Sequence, residues 1–299
     1  MRFFTRMGVP APREAHTRLY VNGQYSGLCA LVESVDKAML SRVFGSSGND
    51  TQNDGYLFEY NYLDRSPWRF NDLGLTLDPY KKRFEAKTHE KDVDAKIWGP
   101  IAELNRLVVD TPLERFEPTI NPRLDLAAFV RYVALQNFVA QNDGLLGYVG
   151  MNNFYFYRRE NSDQHVFIAK DEDNSFLSTD FLLNARLDDN VLMRKTMAID
   201  RFRSMYYRVL AEAAASAAAA TDGQPDGWLR HEIHRQLDTI ASAMVEDRVK
   251  PFTNADHSDS PGVDVGVSAG ADRLRAVRGG DGHRPAAAVR VLVIASTAA

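Results

Sequence analysis

The fold is decided by residues 137–176, which read NFVAQNDGLLGYVGMNNFYFYRRENSDQHVFIAKDEDNSF. This stretch predicts a helix that ends in Asp143, an Asn pair that opens an aromatic strand, and a second strand that ends in carboxylates. Phosphoryl transfer uses such groups in this order, because one carboxylate accepts the proton of an attacking hydroxyl while an amide oxygen and a second carboxylate hold Mg²⁺. The order of these side chains therefore indicates a phosphoryl-transfer site.

Within this stretch, Asp143 is the candidate general base, and Asn153, Asp171 and Asp173 are the candidate ligands of Mg²⁺ or Mn²⁺. Carboxylate and amide oxygens are hard ligands, which suit these ions better than zinc. In ordinary protein kinases the Asn follows the base after about five residues, whereas Asn153 follows Asp143 after 153 − 143 = 10 residues. Residues 145–150 must therefore loop out if the kinase geometry is kept. An Asp that only caps a turn at the end of a helix is the alternative interpretation of Asp143.

A calcium site fits the same acids less well. Asp171, Asp173 and Ser175 resemble the start of an EF-hand loop. Such a loop needs Gly at its sixth position and a bidentate Glu at its twelfth, where this chain has Phe176 and Leu182. A calcium-binding module is therefore disfavoured, and a pair of carboxylates at a strand end is the better interpretation.

Five short segments extend this pattern over most of the chain. They are Leu19–Gly27 running into Glu33, Phe84–Thr88, Asn142–Asp143, Asn152–Tyr157 and Asp171–Phe176. In sequence and in order they resemble the spore coat protein H (CotH) kinase family, whose members have an atypical protein-kinase fold. The resemblance covers roughly residues 1–250, which is the size of a kinase domain.

The resemblance implies an α+β, atypical protein-kinase-like fold, with a partial small lobe formed by a β-hairpin and a mainly helical large lobe. It implies that ATP and Mg²⁺ (or Mn²⁺) bind, and that the γ-phosphoryl group passes to Ser or Thr of a bacterial coat or surface protein. It also suggests the spore coat, the cell surface or secretion. By analogy Glu33 lies at the hinge beside the adenine, although a solvated acid at a strand end is an open alternative. A non-catalytic coat or surface protein that keeps a kinase-like fold is the alternative function.

Composition excludes several other classes of protein. The net charge is −4 and no sustained run of Lys and Arg occurs, so a nucleic-acid partner is not expected. Cys29 is the only cysteine, so neither an internal disulfide nor a cysteine zinc cage can form, and its apolar surroundings predict a buried thiol. No apolar stretch is long enough to span a bilayer.

Apolar periodicity and turn signals predict the remaining elements. Asn22–Gly23 predicts a hairpin of strands 16–22 and 24–33, and the nearly all-apolar second strand predicts burial on both faces. Pro112, Pro118 and Pro122 predict that the segment around them is not helical. Further strands are predicted over residues 55–62 and 81–88, and helices over 35–44, 97–109, 125–143, 191–220 and 228–249.

The resemblance and a change in composition predict a CotH-like kinase domain over residues 1–254 and an atypical tail over residues 255–299. Residues 1–7 resemble the end of a helix that Gly8 and Pro10 stop. A start inside an element predicts a family member that lacks the N-terminal portion of the domain, and such a fragment is expected to phosphorylate poorly. The tail shows no sustained periodicity, which predicts either disorder or a frame-shifted reading.

Overall fold

The computed structural model describes residues 1–47, 50–160, 162–176, 178, 180–220, 227–251 and 253–255. In these residues helices combine with antiparallel sheets, which makes the fold α+β, as predicted. The strands are β1 (Glu14–Val21), β2 (Gln24–Val32), β3 (Ser46–Ser47), β4 (Asp50–Thr51), β5 (Tyr56–Tyr60), β6 (Phe84–Ala86), β7 (Phe154–Arg158) and β8 (His165–Ala169). The helices are α1 (Arg2–Arg6), α2 (Lys37–Phe44), α3 (Asp78–Arg83), α4 (Asp94–Ile97), α5 (Gly99–Asp110), α6 (Leu113–Ile120), α7 (Leu126–Phe138), α8 (Val191–Met197), α9 (Asp200–Ala218) and α10 (Trp228–Glu246).

The central sheet has four strands in the order β6-β5-β7-β8, and every neighbouring pair is antiparallel. Glu59 of β5 pairs with Tyr155 of β7, which in turn pairs with Ile168 of β8. This register places the start of β7 beside the end of β8. Asn153, which precedes β7, and Asp171, which follows β8, therefore lie at the same end of the sheet.

Both faces of this sheet are covered by apolar packing. On one face, Phe154 and Phe156 belong to the main core, which also contains the buried residues of α7. On the other face, Met39 and Leu40 of α2 pack against Leu57 and other residues of β5, β7 and β8. The sheet is therefore packed on both faces, and the end that carries Asn153 and Asp171 is supported by both layers.

Two helices begin where the sequence predicts them because side chains cap their first turns. The Asp125 carboxylate accepts a hydrogen bond from the Ala128 N–H at 2.9 Å and starts α7. Asp36 caps α2 in the same way, and Gly45 with φ 92° ends that helix. The predicted helices over residues 35–44 and from Asp125 are thus confirmed at their first turns.

The β1–β2 hairpin is confirmed, but the predicted burial of its second strand on both faces is wrong. Asn22 and Gly23 have φ values of 51° and 79°, as a tight hairpin turn requires. Leu31 is 63% exposed and Val32 49% exposed, and Cys29 is only partly buried. The hairpin is a separate two-stranded sheet packed against α10, so no second layer covers it among the described residues.

Two further differences from the sequence predictions occur at segments that contain prolines. The predicted strand over 81–88 is helix α3 followed by the short strand β6, because Pro79 occupies the first turn of α3. The segment around Pro118 is predicted to be non-helical, yet Pro118 lies inside α6. That helix is only eight residues long and buries Phe116 and Ile120, so tertiary packing outweighs the loss of one backbone hydrogen bond.

Two predicted helices have different ends in the structure. The helix that begins at Asp125 ends at Phe138, so Asp143 lies in a loop rather than at a helix terminus. The predicted helix over 191–220 is divided into α8 and α9 at Ala198–Ile199. Among the described helices, none is both long and apolar enough to cross a membrane. Of the predicted tail over residues 255–299, residues 256–299 lie outside the described residues.

Candidate active site

The loop that carries Asp143 runs beside the turn that follows β8. Backbone hydrogen bonds join the two segments: Asn142 N donates to Asn174 O at 3.3 Å, and Phe176 N donates to Val139 O at 2.5 Å. Because the main chains are paired, the side chains of the two segments point into one region. The predicted base and the predicted acidic ligands are thereby brought near each other.

The Asn pair lies beside Asp143. We call Asp143, Asn152, Asn153, Asp171 and Asp173 the acidic cluster. Asn152 Nδ2 lies 3.0 Å from Asp143 Oδ1, and Asn153 Nδ2 lies 3.2 Å from Asp143 Oδ2 and 3.0 Å from its main-chain oxygen. Strand alternation predicts that only one Asn faces the site. Asn153 instead has a φ of 53°, outside the strand region, so both amides reach Asp143.

The insert between Asp143 and Asn152 loops out, as the spacing requires. Gly147 N donates to Gly144 O, and Gly150 N donates to Gly147 O, so the segment forms two successive turns. Leu145 is fully buried in the core, whereas Tyr148 is exposed. The ten-residue separation is therefore compatible with direct contact between Asp143 and Asn153.

Negative charge concentrates on the turn after β8. Burial raises the pKa of Asp171, and the charges of Asp173 and Asp143 raise it further, while Lys170 opposes them. Asp171 also has a φ of 49°, a backbone conformation that non-glycine residues seldom adopt and that is common at functional sites. These oxygens match the hard ligands that Mg²⁺ and Mn²⁺ prefer, and a cation there would relieve the repulsion between the carboxylates.

A complete set of ligands for a metal ion is not formed by Asp143, Asp171 and Asp173 alone. Among the described residues, no group of three or more His, Cys, Asp or Glu side chains is arranged to hold a metal ion. Any bound cation would therefore need other oxygens, such as the amide oxygens of the Asn pair or those of a phosphate. This mixed donor set agrees with Mg²⁺, which is usually bound by one or two carboxylates together with substrate phosphates.

Glu33 is not part of this cluster. Its carboxylate accepts hydrogen bonds from the guanidinium groups of Arg13 at 2.8 Å and Arg42 at 2.5 Å. Burial acts to raise the pKa of Glu33, but the two arginines outweigh it and lower the pKa to about 2. The structure thus places Glu33 in an ion-pair network at the base of the hairpin.

Sequence reasoning missed Glu172, which lies between the two candidate ligands. Burial raises the pKa of its carboxyl to about 7, although hydrogen bonds from Gln136, Tyr132 and Gln141 act in the opposite direction. The three donors lie 2.9, 2.8 and 3.1 Å from the carboxylate oxygens. No sequence signal distinguishes Glu172 from its neighbours, because it follows the end of β8 at Ala169 and the backbone of Asp171 has left the strand conformation.

A second charged network lies on the sheet beside the cluster. Glu59 accepts a hydrogen bond from Lys170 Nζ at 2.6 Å and forms an ion pair with Lys87 Nζ at 3.2 Å. Lys87 also forms an ion pair with Glu85 at 3.1 Å. Lys170 is thus fixed by Glu59, and its charge stands directly beside Asp171.

The turn after β8, which carries Asp171, Glu172 and Asp173, is called the acidic turn below. It borders a cleft of about 540 Å³. Asp171 and Asp173 line one side, and residues of the hairpin line another. The remaining wall comes from α1 and α10, where the rings of Phe3 and Trp228 are stacked with centroids 6.1 Å apart. The cleft therefore combines apolar and aromatic walls with carboxylates, as small-molecule sites commonly do.

Comparison with known proteins identifies one related family. The family model described as CotH kinase protein matches residues 1–221, which includes Asp143, Asn153 and Asp171. No curated protein matches the chain. The matched region runs from α1 to the end of α9, so it contains the central sheet and every segment of the acidic cluster.

Proposed function

The chain belongs to the CotH kinase protein family, and on this basis we propose that it transfers the γ-phosphoryl group of ATP to a Ser or Thr hydroxyl of a protein. The observation that carries the proposal is the contact between Asp143 and Asn153. Asp171 lies near enough for the charge of Asp143 to raise its pKa. Base, amide and acid come from three separate segments, yet they meet at one end of the sheet. Phosphoryl transfer depends on the positioning of such groups more than on covalent chemistry.

In this proposal Asp143 is the general base. Its carboxylate accepts the proton of the attacking Ser or Thr hydroxyl while the hydroxyl oxygen forms a bond to the γ-phosphorus. The bond between the γ-phosphorus and the β–γ bridging oxygen breaks, and ADP leaves with that oxygen. Asn152 and Asn153 hold the carboxylate through their amide nitrogens, so it is already oriented when the acceptor arrives.

Asp171, Asp173 and the amide oxygen of Asn153 are the proposed ligands of Mg²⁺ or Mn²⁺. A bound divalent cation would neutralise negative charge on the phosphate oxygens. Asn153 directs its amide nitrogen to Asp143, and rotation about the Cβ–Cγ bond exchanges the positions of nitrogen and oxygen. The same side chain can therefore serve either the carboxylate or a cation.

The cleft beside the acidic turn is the proposed nucleotide site. Its volume of about 540 Å³ falls within the usual range for small-molecule sites. Phe3 and Trp228 offer aromatic surface for a base, and Asp171 and Asp173 lie where a cation bound to phosphates would be needed. The contact of Glu33 with the adenine stays a prediction, and in the structure the carboxylate of Glu33 is paired with two arginines.

Transfer of radiolabelled phosphate from ATP to a Ser/Thr-rich protein tests the proposal. We expect Asp143→Asn to abolish transfer while Mn²⁺-ATP still binds, and Asp171→Asn to weaken Mn²⁺-ATP binding as well. Glu90→Gln, which removes an exposed acid away from the cluster, serves as the matched control and should behave as wild type. Equal transfer by all of these variants would contradict the proposal.

A non-catalytic coat or surface protein is the second candidate. The observation that favours it is that both carboxylate oxygens of Asp143 are occupied by Asn amides. In this second candidate, the two hydrogen bonds have the purely structural role of holding the Asp143 loop in place. Thermal denaturation with and without Mg²⁺-ATP separates the two functions, because a nucleotide enzyme is stabilised by its ligand. An unchanged melting temperature at millimolar Mg²⁺-ATP would favour the non-catalytic role.

A further inference from the structure

A polar network beneath the cluster connects the segments that carry Asp143 and Asp171. Glu172 is its centre, because its carboxylate accepts hydrogen bonds from Tyr132 Oη, Gln136 Nε2 and Gln141 Nε2. Each glutamine uses its other end to hold the Asp143 loop. Gln141 Oε1 accepts the Asp143 N–H at 3.0 Å, and Gln136 Oε1 accepts the Leu145 N–H at 2.9 Å.

The direction of the hydrogen bonds in this network is visible at Glu172. Its carboxyl oxygens accept all three hydrogen bonds, whereas a Gln side chain carries a donor at one end and an acceptor at the other. Both glutamines must therefore turn their NH₂ groups toward Glu172. Their oxygens then face the Asp143 loop, where backbone N–H groups need acceptors.

We propose that Glu172 is a positioning residue, which orients the Gln136 and Gln141 amides and through them fixes the Asp143 loop against the Asp171 turn. Two further contacts serve the same geometry. Ser175 Oγ donates to the main-chain oxygen of Glu172 at 2.8 Å, and Gln141 Nε2 lies 3.4 Å from the main-chain oxygen of Asp171. Backbone on both sides of Glu172 is thus tied to the same network.

The variant Glu172→Gln tests this directly. Its side chain keeps the shape of Glu172 but replaces one acceptor oxygen by an NH₂ group. In one orientation this NH₂ group faces the NH₂ group of Gln141, and in the other it faces the donors of Tyr132 and Gln136. If Gln141 turns over to avoid the clash, its NH₂ group faces the Asp143 N–H and that hydrogen bond is lost. We expect hydrogen exchange of the Asp143 amide to become about tenfold faster or more, and that of the Leu145 amide to do so if Gln136 turns over instead.

A compensating substitution supplies the decisive comparison. In the double variant Glu172→Gln/Gln141→Glu, the carboxylate introduced at position 141 accepts both the Asp143 N–H and the NH₂ group introduced at position 172, and the net charge is unchanged. We expect slow exchange at Asp143 and Leu145 to return. Asn105→Ala is the matched control, because it also removes several buried hydrogen bonds but lies in α5, where its partners are Asn71, Leu73 and Tyr80.

The consequence for catalysis rests on the proposed function, but the exchange measurement does not. If the wild type transfers phosphate, Glu172→Gln should lower kcat at least tenfold and the double variant should restore it, while Asn105→Ala lowers only thermal stability. Unchanged exchange at Asp143 and Leu145 in Glu172→Gln, or no recovery in the double variant, would overturn the positioning role. A wild-type chain that binds no Mn²⁺-ATP would overturn the kinase proposal and leave the exchange result standing.

Discussion

The Nδ2 atom of Asn153 lies 3.2 Å from Oδ2 of Asp143, although ten residues separate the two along the chain. The contact is possible because the intervening segment folds back in two turns and buries Leu145. A long spacing between Asp143, the proposed base, and Asn153 is therefore no obstacle to their direct contact. What fixes the geometry is the left-handed backbone of Asn153, with a φ of 53°.

The first prediction tests the side chain of Asn153 without changing its backbone conformation. Asn153→Gly keeps the left-handed φ without strain, since glycine adopts it freely, and removes only the side chain. We expect phosphoryl transfer to fall by about 100-fold, the scale seen when one transition-state contact is removed, with a melting temperature close to that of wild type. Radiolabelled transfer and thermal denaturation of the same samples provide the measurements.

Asn152→Ala is the matched control for that variant, because Asn152 also donates to Asp143 but is not a proposed ligand. We expect its activity to fall much less than that of Asn153→Gly. If both variants lose activity equally, the two amides only orient Asp143, and Asn153 is no metal ligand.

The second prediction concerns the cleft. Ala30 and Leu31 are neighbours in β2, and alternation along the strand places their side chains on opposite faces. Ala30 lines the cleft, whereas Leu31, which is 63% exposed, is not one of the residues that line it. We expect Ala30→Trp to weaken ATP binding at least tenfold by filling the cleft, and Leu31→Trp to leave it unchanged. Titration with a fluorescent ATP analogue measures both, and equal affinities would place the nucleotide elsewhere.

The third prediction is a pH dependence that arises from Glu33. Its pKa of about 2 in the folded protein lies below the ordinary value of 4.5, so the unfolded chain takes up the proton first as the pH falls. The stabilisation is therefore complete above about pH 4.5 and is lost as the pH falls toward 2. We expect Glu33→Gln to lower the free energy of unfolding by about 1–2 kcal/mol at pH 7, since the exposure of Arg13 weakens the ion pairs.

Urea denaturation at pH 7 and pH 3 checks this dependence. The difference between wild type and Glu33→Gln should be largest at pH 7 and should shrink at pH 3. Glu90→Gln, at an exposed acid, is the matched control for the loss of one carboxylate. A gap for Glu33→Gln that stays constant between the two pH values would argue against the ion pairs.

The fourth prediction tests a helix terminus that a distant lysine caps. Lys195 of α8 donates from Nζ to the main-chain oxygens of Val108, Val109 and Thr111 at 2.8, 2.6 and 2.9 Å, at the end of α5. We expect Lys195→Met to lower the free energy of unfolding by about 2–3 kcal/mol, because these oxygens lose a charged donor. Urea denaturation measures the loss, and Lys82→Met, an exposed lysine of α3, should change stability by less than about 0.5 kcal/mol.

The parts of the fold that the sequence predicted correctly depend on neighbouring residues. Asn22–Gly23 specifies its turn through backbone conformation, and Asp125 starts α7 by accepting a hydrogen bond three residues on. The order of Asp143, Asn153 and Asp171 is also readable in the sequence, since each lies at the end of a predicted element. The pattern alone predicts that they meet, and the pairing of β7 with β8 accounts for it physically.

The parts that could not be predicted depend on contacts between distant residues. The apolar β2 strand predicts burial on both faces, but whether a second layer covers it is decided by elements far away in the chain. Pro118 is accepted in α6 because Phe116 and Ile120 pack into the core. Glu172 resembles a third surface acid in the sequence, and only the structure shows that Gln136 and Gln141 face it.

The stacked rings of Phe3 and Trp228 join the two ends of the described fold. Because synthesis proceeds from the N-terminus, the hairpin and the acidic turn are made before α10. A chain that is still being translated therefore lacks the wall of the cleft to which Trp228 belongs. The proposed nucleotide site is complete only once translation has passed Trp228.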